Sequence, residues 1–194
     1  MTNFASIISR HAERKNNLRV KVHETWLLRD KTPQNRTKWI KAAQEFREFT
    51  SELDDLVADC LKYGVEHDGN LREFVFAYID CDPYFYRSGY ILEKLIQKVK
   101  KLSLTHAEKK SIQCLLIRRI ETRALRNFRK ICRLIPKVET EGFYREVCNR
   151  SKSRNSDVKR RAEFAIEYFS NDRRKRGGEG IMKQTNGLFH RGAT

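Results

Sequence analysis

The side chains of this chain best placed to do chemistry are cations, and the chemistry they suit is recognition of phosphate. Arg119, Arg123, Arg126, Lys130, Arg133 and Lys137 recur at alternating steps of four and three. On a helix such steps stay on one face. If one helix persists from Thr105 to about Ile135, the six form a single positive stripe, with Ile112, Leu116, Ile120, Ala124, Phe128, Ile131 and Ile135 on the opposite side. A helix face that merely meets water usually mixes signs. Between Arg118 and Lys137 eight basic side chains stand against one acid, Glu121. Like charges at that density repel, and a nucleic-acid backbone would offset the cost through counterion release. The predominance of Arg fits two-point contact with phosphate oxygens. Two other readings compete: a solvated outer face, and neutralisation by the acidic segment of a partner or of another copy.

Farther along, Arg173, Arg174, Lys175 and Arg176 form a second basic cluster, followed by the glycine-rich stretch Gly177–Gly180 and a polar end. Residues 171–194 show no core pattern and read as a disordered basic tail that adds to polyanion binding or serves as a nuclear import signal. No homeodomain pattern, zinc-finger spacing or RNP aromatic motif accompanies the cations. Backbone contact with little base readout, to RNA or DNA, is therefore expected.

Tyr84-Phe85-Tyr86-Arg87-Ser88-Gly89-Tyr90 is the other conspicuous group. It can stack bases, with Arg87 as cation and Asp80 and Asp82 as carboxylates. The preferred reading is an aromatic plug at a helix junction, with Asp82 as cap and Pro83 opening the turn.

An enzymatic reading starts from His67-Asp68, with His11 or His23 upstream and Asp80, Asp82 or Asp157 downstream. That order resembles the H…HD…D order of the helical HD-type metal phosphohydrolases, and the resemblance implies metal-dependent phosphate-ester hydrolysis. In that family the central pair lies in a helix, whereas Glu66-His67-Asp68-Gly69-Asn70 reads as a polar turn in which Asp68 caps the next helix. Ser156-x-x-Lys159 lacks its companion motifs, and Gly177-Gly178-Glu179-Gly180 has neither a preceding strand nor a following helix. The chain is accordingly read as non-enzymatic, with no catalytic residue, metal or cofactor assigned.

The elements that must position these groups are helices. Three prolines, nine glycines and no sustained alternation of apolar and polar residues speak against sheet. Phe4, Ile7, Ile8, His11, Leu18, Val22 and Trp26 suggest one helix, or two broken near Asn16-Asn17. Trp39 to Leu61 carries helical periodicity, as one long helix or as two broken near Thr50, and Gly64 is a C-terminal stop. Candidate caps fall at Thr32, Ser51, Asp68, Ser88, Thr105, Thr122, Thr140 and Ser156, spaced 16 to 20 residues apart. Such regularity predicts antiparallel helical hairpins in an irregular HEAT-like α-solenoid; the alternative is a compact helical bundle, and the tetratricopeptide consensus is absent. One all-α domain over 1–170 is expected.

Charge is distributed unevenly. The net of +16 divides into +3 over residues 1–104 and +13 over 105–194, while 45–82 carries eleven acids against three bases. A helical scaffold whose acidic middle and basic C-terminal half dock partners or each other's copies is therefore the second functional reading. Five cysteines at 60, 81, 114, 132 and 148, with no C-x-x-C, point to reduced thiols and an intracellular protein, cytoplasmic or, in a eukaryote, nuclear. No apolar run is long enough to span a membrane. Met1 to Lys15 contains Glu13 and is short for an organelle-targeting segment.

Overall fold

The computed structural model describes residues 2–122 and 127–170. Among them are ten helices and no strand, so the chain is all-α. The helices sort into two compact units, residues 1–102 and residues from 103 onward.

In the first unit α1 (Phe4–Leu28) and α2 (Pro33–Glu48) form an antiparallel hairpin, followed by α3 (Glu52–Lys62), α4 (Gly69–Cys81) and α5 (Ser88–Lys101). Helix α1 runs unbroken through Asn16-Asn17. Its N-terminal part buries Phe4, Ile7, Ile8 and His11 against α3 and α4. Helix α4 lies at the centre: Phe74, Val75, Tyr78 and Ile79 are fully buried, and the Tyr78 hydroxyl donates to the Ser88 carbonyl at 3.2 Å. The start and stop signals are local chemistry. Ser51 and Asp54 exchange hydrogen bonds with each other's backbone in a capping box, and Asp68 Oδ1 accepts from Asn70 and Leu71 N–H groups at 2.8 and 2.9 Å. Helix α3 ends where Gly64 takes φ +84°, a conformation that costs glycine nothing.

The second unit is built on α6 (His106–Glu121), which touches each of α7 (Phe128–Cys132), α8 (Ile135–Val138), α9 (Glu141–Ser151) and α10 (Ser156–Ile166). The capping box of Thr105 and Glu108 starts α6. Buried Gln113 donates through Nε2 to the Val138 carbonyl at 2.6 Å and to Thr140 Oγ1 at 3.3 Å, fixing the turn between α8 and α9.

Five of the eight anticipated caps hold, at Thr32, Ser51, Asp68, Thr105 and Thr140. Arg87, in the left-handed region at φ +70°, precedes α5 in place of Ser88; Asn155 caps α10 in place of Ser156; and Thr122 closes α6 instead of opening a helix. The even ladder of helix starts, on which the repeat reading rests, therefore shifts by one residue at α5 and α10 and breaks at Thr122.

His11 is the buried titratable group of the first unit. Its Nδ1 lies 2.7 Å from Ser51 Oγ and 3.6 Å from Asp54 Oδ2, and its ring packs between Phe49 and Phe85. Ser51 Oγ already accepts from the Leu53 N–H, leaving its own hydrogen to donate to a neutral imidazole. Burial pushes the His11 pKa below its ordinary value and outweighs the opposing pull of Asp54, with Lys15 acting in the same direction as burial. Below about pH 6.5 the unfolded chain then binds the proton more readily than the folded one, so stability falls as pH drops through that value. The melting temperature should decline from about pH 7 to about pH 5, and His11→Gln, though less stable at neutral pH, should show a shallower decline.

Candidate nucleic-acid interface

Helix α6 stops at Glu121, so the continuous helix on which a single positive stripe depends is absent. Thr122 is extended at φ −91° and ψ −164°, and its hydroxyl donates back to the Arg118 carbonyl at 2.7 Å. The stop is held from a distance. Arg161 of α10, only 8% exposed, donates through Nε to the Ile120 carbonyl at 2.7 Å and satisfies an oxygen that a continuing helix would have used. Pro136, in the first turn of α8, bars a longer helix on the other side.

The inward pattern survives the break. Ile112, Leu116, Ile120, Phe128, Ile131 and Ile135 are all buried. The cations are redistributed over three short elements. Arg119 lies in the last turn of α6, half-buried, with Nε enclosed by protein. Lys130 in α7 and Lys137 in α8 are half-buried, and Arg133, just after α7, is exposed. Arg123, Arg126, Arg173, Arg174, Lys175 and Arg176 lie outside the described residues, as does the whole of 171–194.

Two further cations in the same stretch were missed because they fall off the three-and-four rhythm. Arg118 stands exposed in the last turn of α6, where a cation also complements the negative end of the helix dipole. Arg129 sits on α7 with its guanidinium 5.1 Å from the Phe164 ring centroid, braced by an aromatic face while remaining exposed. Their signal in the sequence was density of charge, not periodicity.

The acid of the run is already engaged. Glu121 Oε1 accepts from Arg150 Nε at 2.7 Å and lies 2.6 Å from Nη2, so its charge is taken by α9. On α9 and α10 the mixed-sign habit returns, with Arg145 on Glu141, Lys159 near Glu163 and Arg160 on Asp157. Those exposed pairs contribute little to stability.

The aromatic group divides. Phe85 is buried and is the plug, touching His11 with ring centroids 4.7 Å apart. Tyr84, Tyr86 and Tyr90 are exposed; Tyr86 rests on Phe46, and Arg87 lies over Tyr86. The corner is tied to α1 by Asn16, whose amide donates to the Tyr84 carbonyl at 2.8 Å.

Nothing assembles around the phosphohydrolase-like pair. Asp68 spends Oδ1 on the cap of α4, and His67 is exposed beside it. Among the described residues no three His, Cys, Asp or Glu side chains converge as a ligand set. Ser51 and Asp54 both address the same nitrogen of His11, whereas a nucleophilic triad uses the two ring nitrogens separately. Burial raises the Cys60 thiol to about 11 and Cys132 to about 12, which leaves both unreactive near neutrality.

Because a buried charged donor is aimed at a carbonyl that no continuing helix serves, Arg161→Met should destabilise the second unit by about 2 kcal/mol in chemical denaturation. Arg145→Met, which loses only an exposed pair, should cost less than about 0.5 kcal/mol. No helix of the described residues is long and apolar enough to cross a membrane. No family model, no curated protein and no solved structure matches this chain.

Proposed function

We propose that this is a non-enzymatic, intracellular nucleic-acid-binding protein that contacts the phosphate backbone through the cations between Arg118 and Lys137. The observation that carries the reading is the capture of Glu121 by Arg150. The run's one carboxylate is thereby neutralised by a cation from outside the run, and it subtracts little from the positive charge of the eight bases around it. Arg119, Arg123, Arg126, Lys130, Arg133 and Lys137 remain the proposed contact residues, joined by Arg118 and Arg129. Arg173, Arg174, Lys175 and Arg176 extend the contact from the C-terminal segment.

Spreading the cations over the end of α6, α7 and α8 suits a backbone that curves past several short elements better than insertion of one helix into a groove. Little dependence on base sequence follows from this, because the described part of the run between Arg118 and Lys137 offers no long cationic helix to base edges. The helical scaffold whose acidic middle and basic C-terminal half dock partners or each other's copies remains the second reading.

The test is affinity for a mixed-sequence duplex and for a single strand as a function of salt. Binding at about 50 mM salt that weakens steeply with added salt is expected. The triple variant Arg129→Gln, Arg133→Gln, Lys137→Gln should keep its helical circular dichroism and lower the log–log salt slope for duplex by up to about 3, at about 0.9 for each phosphate no longer neutralised. Deleting 171–194 should lower affinity and slope without loss of helicity. Absence of binding at low salt, or a triple variant that binds like the parent chain, would overturn the reading.

A further inference from the structure

The outer half of the α1–α2 hairpin has two helices where an apolar seam of its width needs a third. From Arg19 to Glu48 the buried residue is Ala42, although Val22, Trp26, Trp39, Ile40 and Phe46 all stand in this stretch. Along one flank Val22, Trp39, Ile40, Ala43, Phe46 and Arg47 line an open groove of about 300 Å³. Ile40 is 48% exposed there. At the base of the hairpin Phe46 meets the exposed ring of Tyr86, with centroids 5.6 Å apart.

The charge beside the groove has one sign. On α2 the row Arg36, Ile40, Ala43, Arg47 steps by four, three and four; on α1 the row Lys15, Arg19, Val22, Trp26 steps by four, three and four. Neither row contains an acid. Acids of the hairpin are turned elsewhere: Glu45 accepts from Lys21 at 2.7 Å along the other flank, and Asp30 from Arg29 at 3.0 Å at the loop. Arg36 and Arg47 lie about 17 Å apart along α2, at either end of the apolar stretch.

We propose that this flank docks an acidic amphipathic helix of a partner protein, with apolar side chains filling the groove and carboxylates meeting Arg19, Arg36 and Arg47. Three turns of groove between two helices match the i, i+3/i+4, i+7 anchors of helix-in-groove recognition. The floor is interrupted by Val22, Ile40 and Ala43, which do not make the continuous stacking ladder a single-stranded nucleic acid uses. From Arg19 to Glu48 the hairpin holds eight bases against four acids, so two copies would repel each other at this surface. The docking site belongs to the first unit and does not depend on the phosphate-binding reading of the second.

The experiment uses the full chain and a fluorescein-labelled synthetic helix of about five turns, with leucine and phenylalanine on one face and glutamates beside them. Anisotropy should report micromolar binding, at least about tenfold weaker for the same helix with lysine in place of glutamate. Ile40→Asp should abolish binding, and the pair Arg36→Glu, Arg47→Glu should reverse the preference toward the lysine helix. Val20→Asp, on the far side of α1, should change nothing, and circular dichroism should show all variants folded. The proposal is overturned if neither helix binds, if both bind equally, or if the pair of reversals leaves the preference intact. It is overturned also if Ile40→Asp instead removes binding to a single-stranded oligonucleotide or to anionic vesicles, or dissolves a dimer seen by sedimentation.

Discussion

A helix that ends against other protein leaves carbonyl oxygens that water no longer reaches freely, and in this chain cations from neighbouring helices supply the missing donors. Lys15 of α1 donates to the Phe46 and Phe49 carbonyls at the end of α2, at 3.0 and 3.3 Å. Lys98 of α5 donates to the Leu61 carbonyl of α3 at 3.1 Å, and Arg161 of α10 to Ile120 of α6. Each contact satisfies an acceptor, complements the negative end of a helix dipole and fixes where one helix stops relative to another. Part of the basic surplus is thus committed to holding each unit together internally.

That division of labour sharpens the functional argument. A cation aimed at a buried carbonyl is not available to a ligand, whereas Arg129 presents its charge at the surface beside the Phe164 ring. Arg161 and Arg129 look alike in the sequence, both lying among other bases on short amphipathic segments. Burial separates them: one guanidinium is enclosed at the end of α6, and the other rests on the face of Phe164 with its edge toward solvent. Net charge alone overstates how much of the surface is offered to an anion.

What could be read in advance was whatever is decided within a few residues. The capping boxes at Ser51 and Thr105, the Asp68 cap and the Gly64 stop each depend on groups one turn apart, and each is where its spacing put it. The inward set Ile112, Leu116, Ile120, Phe128, Ile131 and Ile135 was legible because burial follows periodicity even across a break. The end of α6 was not, since the donor that secures it comes from 41 residues away. Nor was Arg87 at φ +70°, a conformation arginine does not prefer, which stands between buried Phe85 and Ser88, whose Oγ accepts from the Phe85 N–H at 3.3 Å. The aromatic corner was read as one plug, but of its rings Phe85 is the one buried beside His11, while Tyr84, Tyr86 and Tyr90 are exposed. The groove on the hairpin escaped notice for a related reason: periodicity marks Trp39, Ala43 and Phe46 as an inward face without saying whether anything lies opposite.

The N-terminal turns of helix α1 belong to the most tightly packed part of the first unit, while its C-terminal turns, within that unit, pack mainly on α2, and no irregularity separates the two. Opening of the hairpin can therefore begin at the Arg29–Thr32 bend and travel inward one turn at a time, without a hinge to confine it. A single rod should thus span a gradient of amide protection, slow-exchanging near buried Ile8 and fast near exposed Leu28, and whatever clamps its outer end would extend order along the whole length.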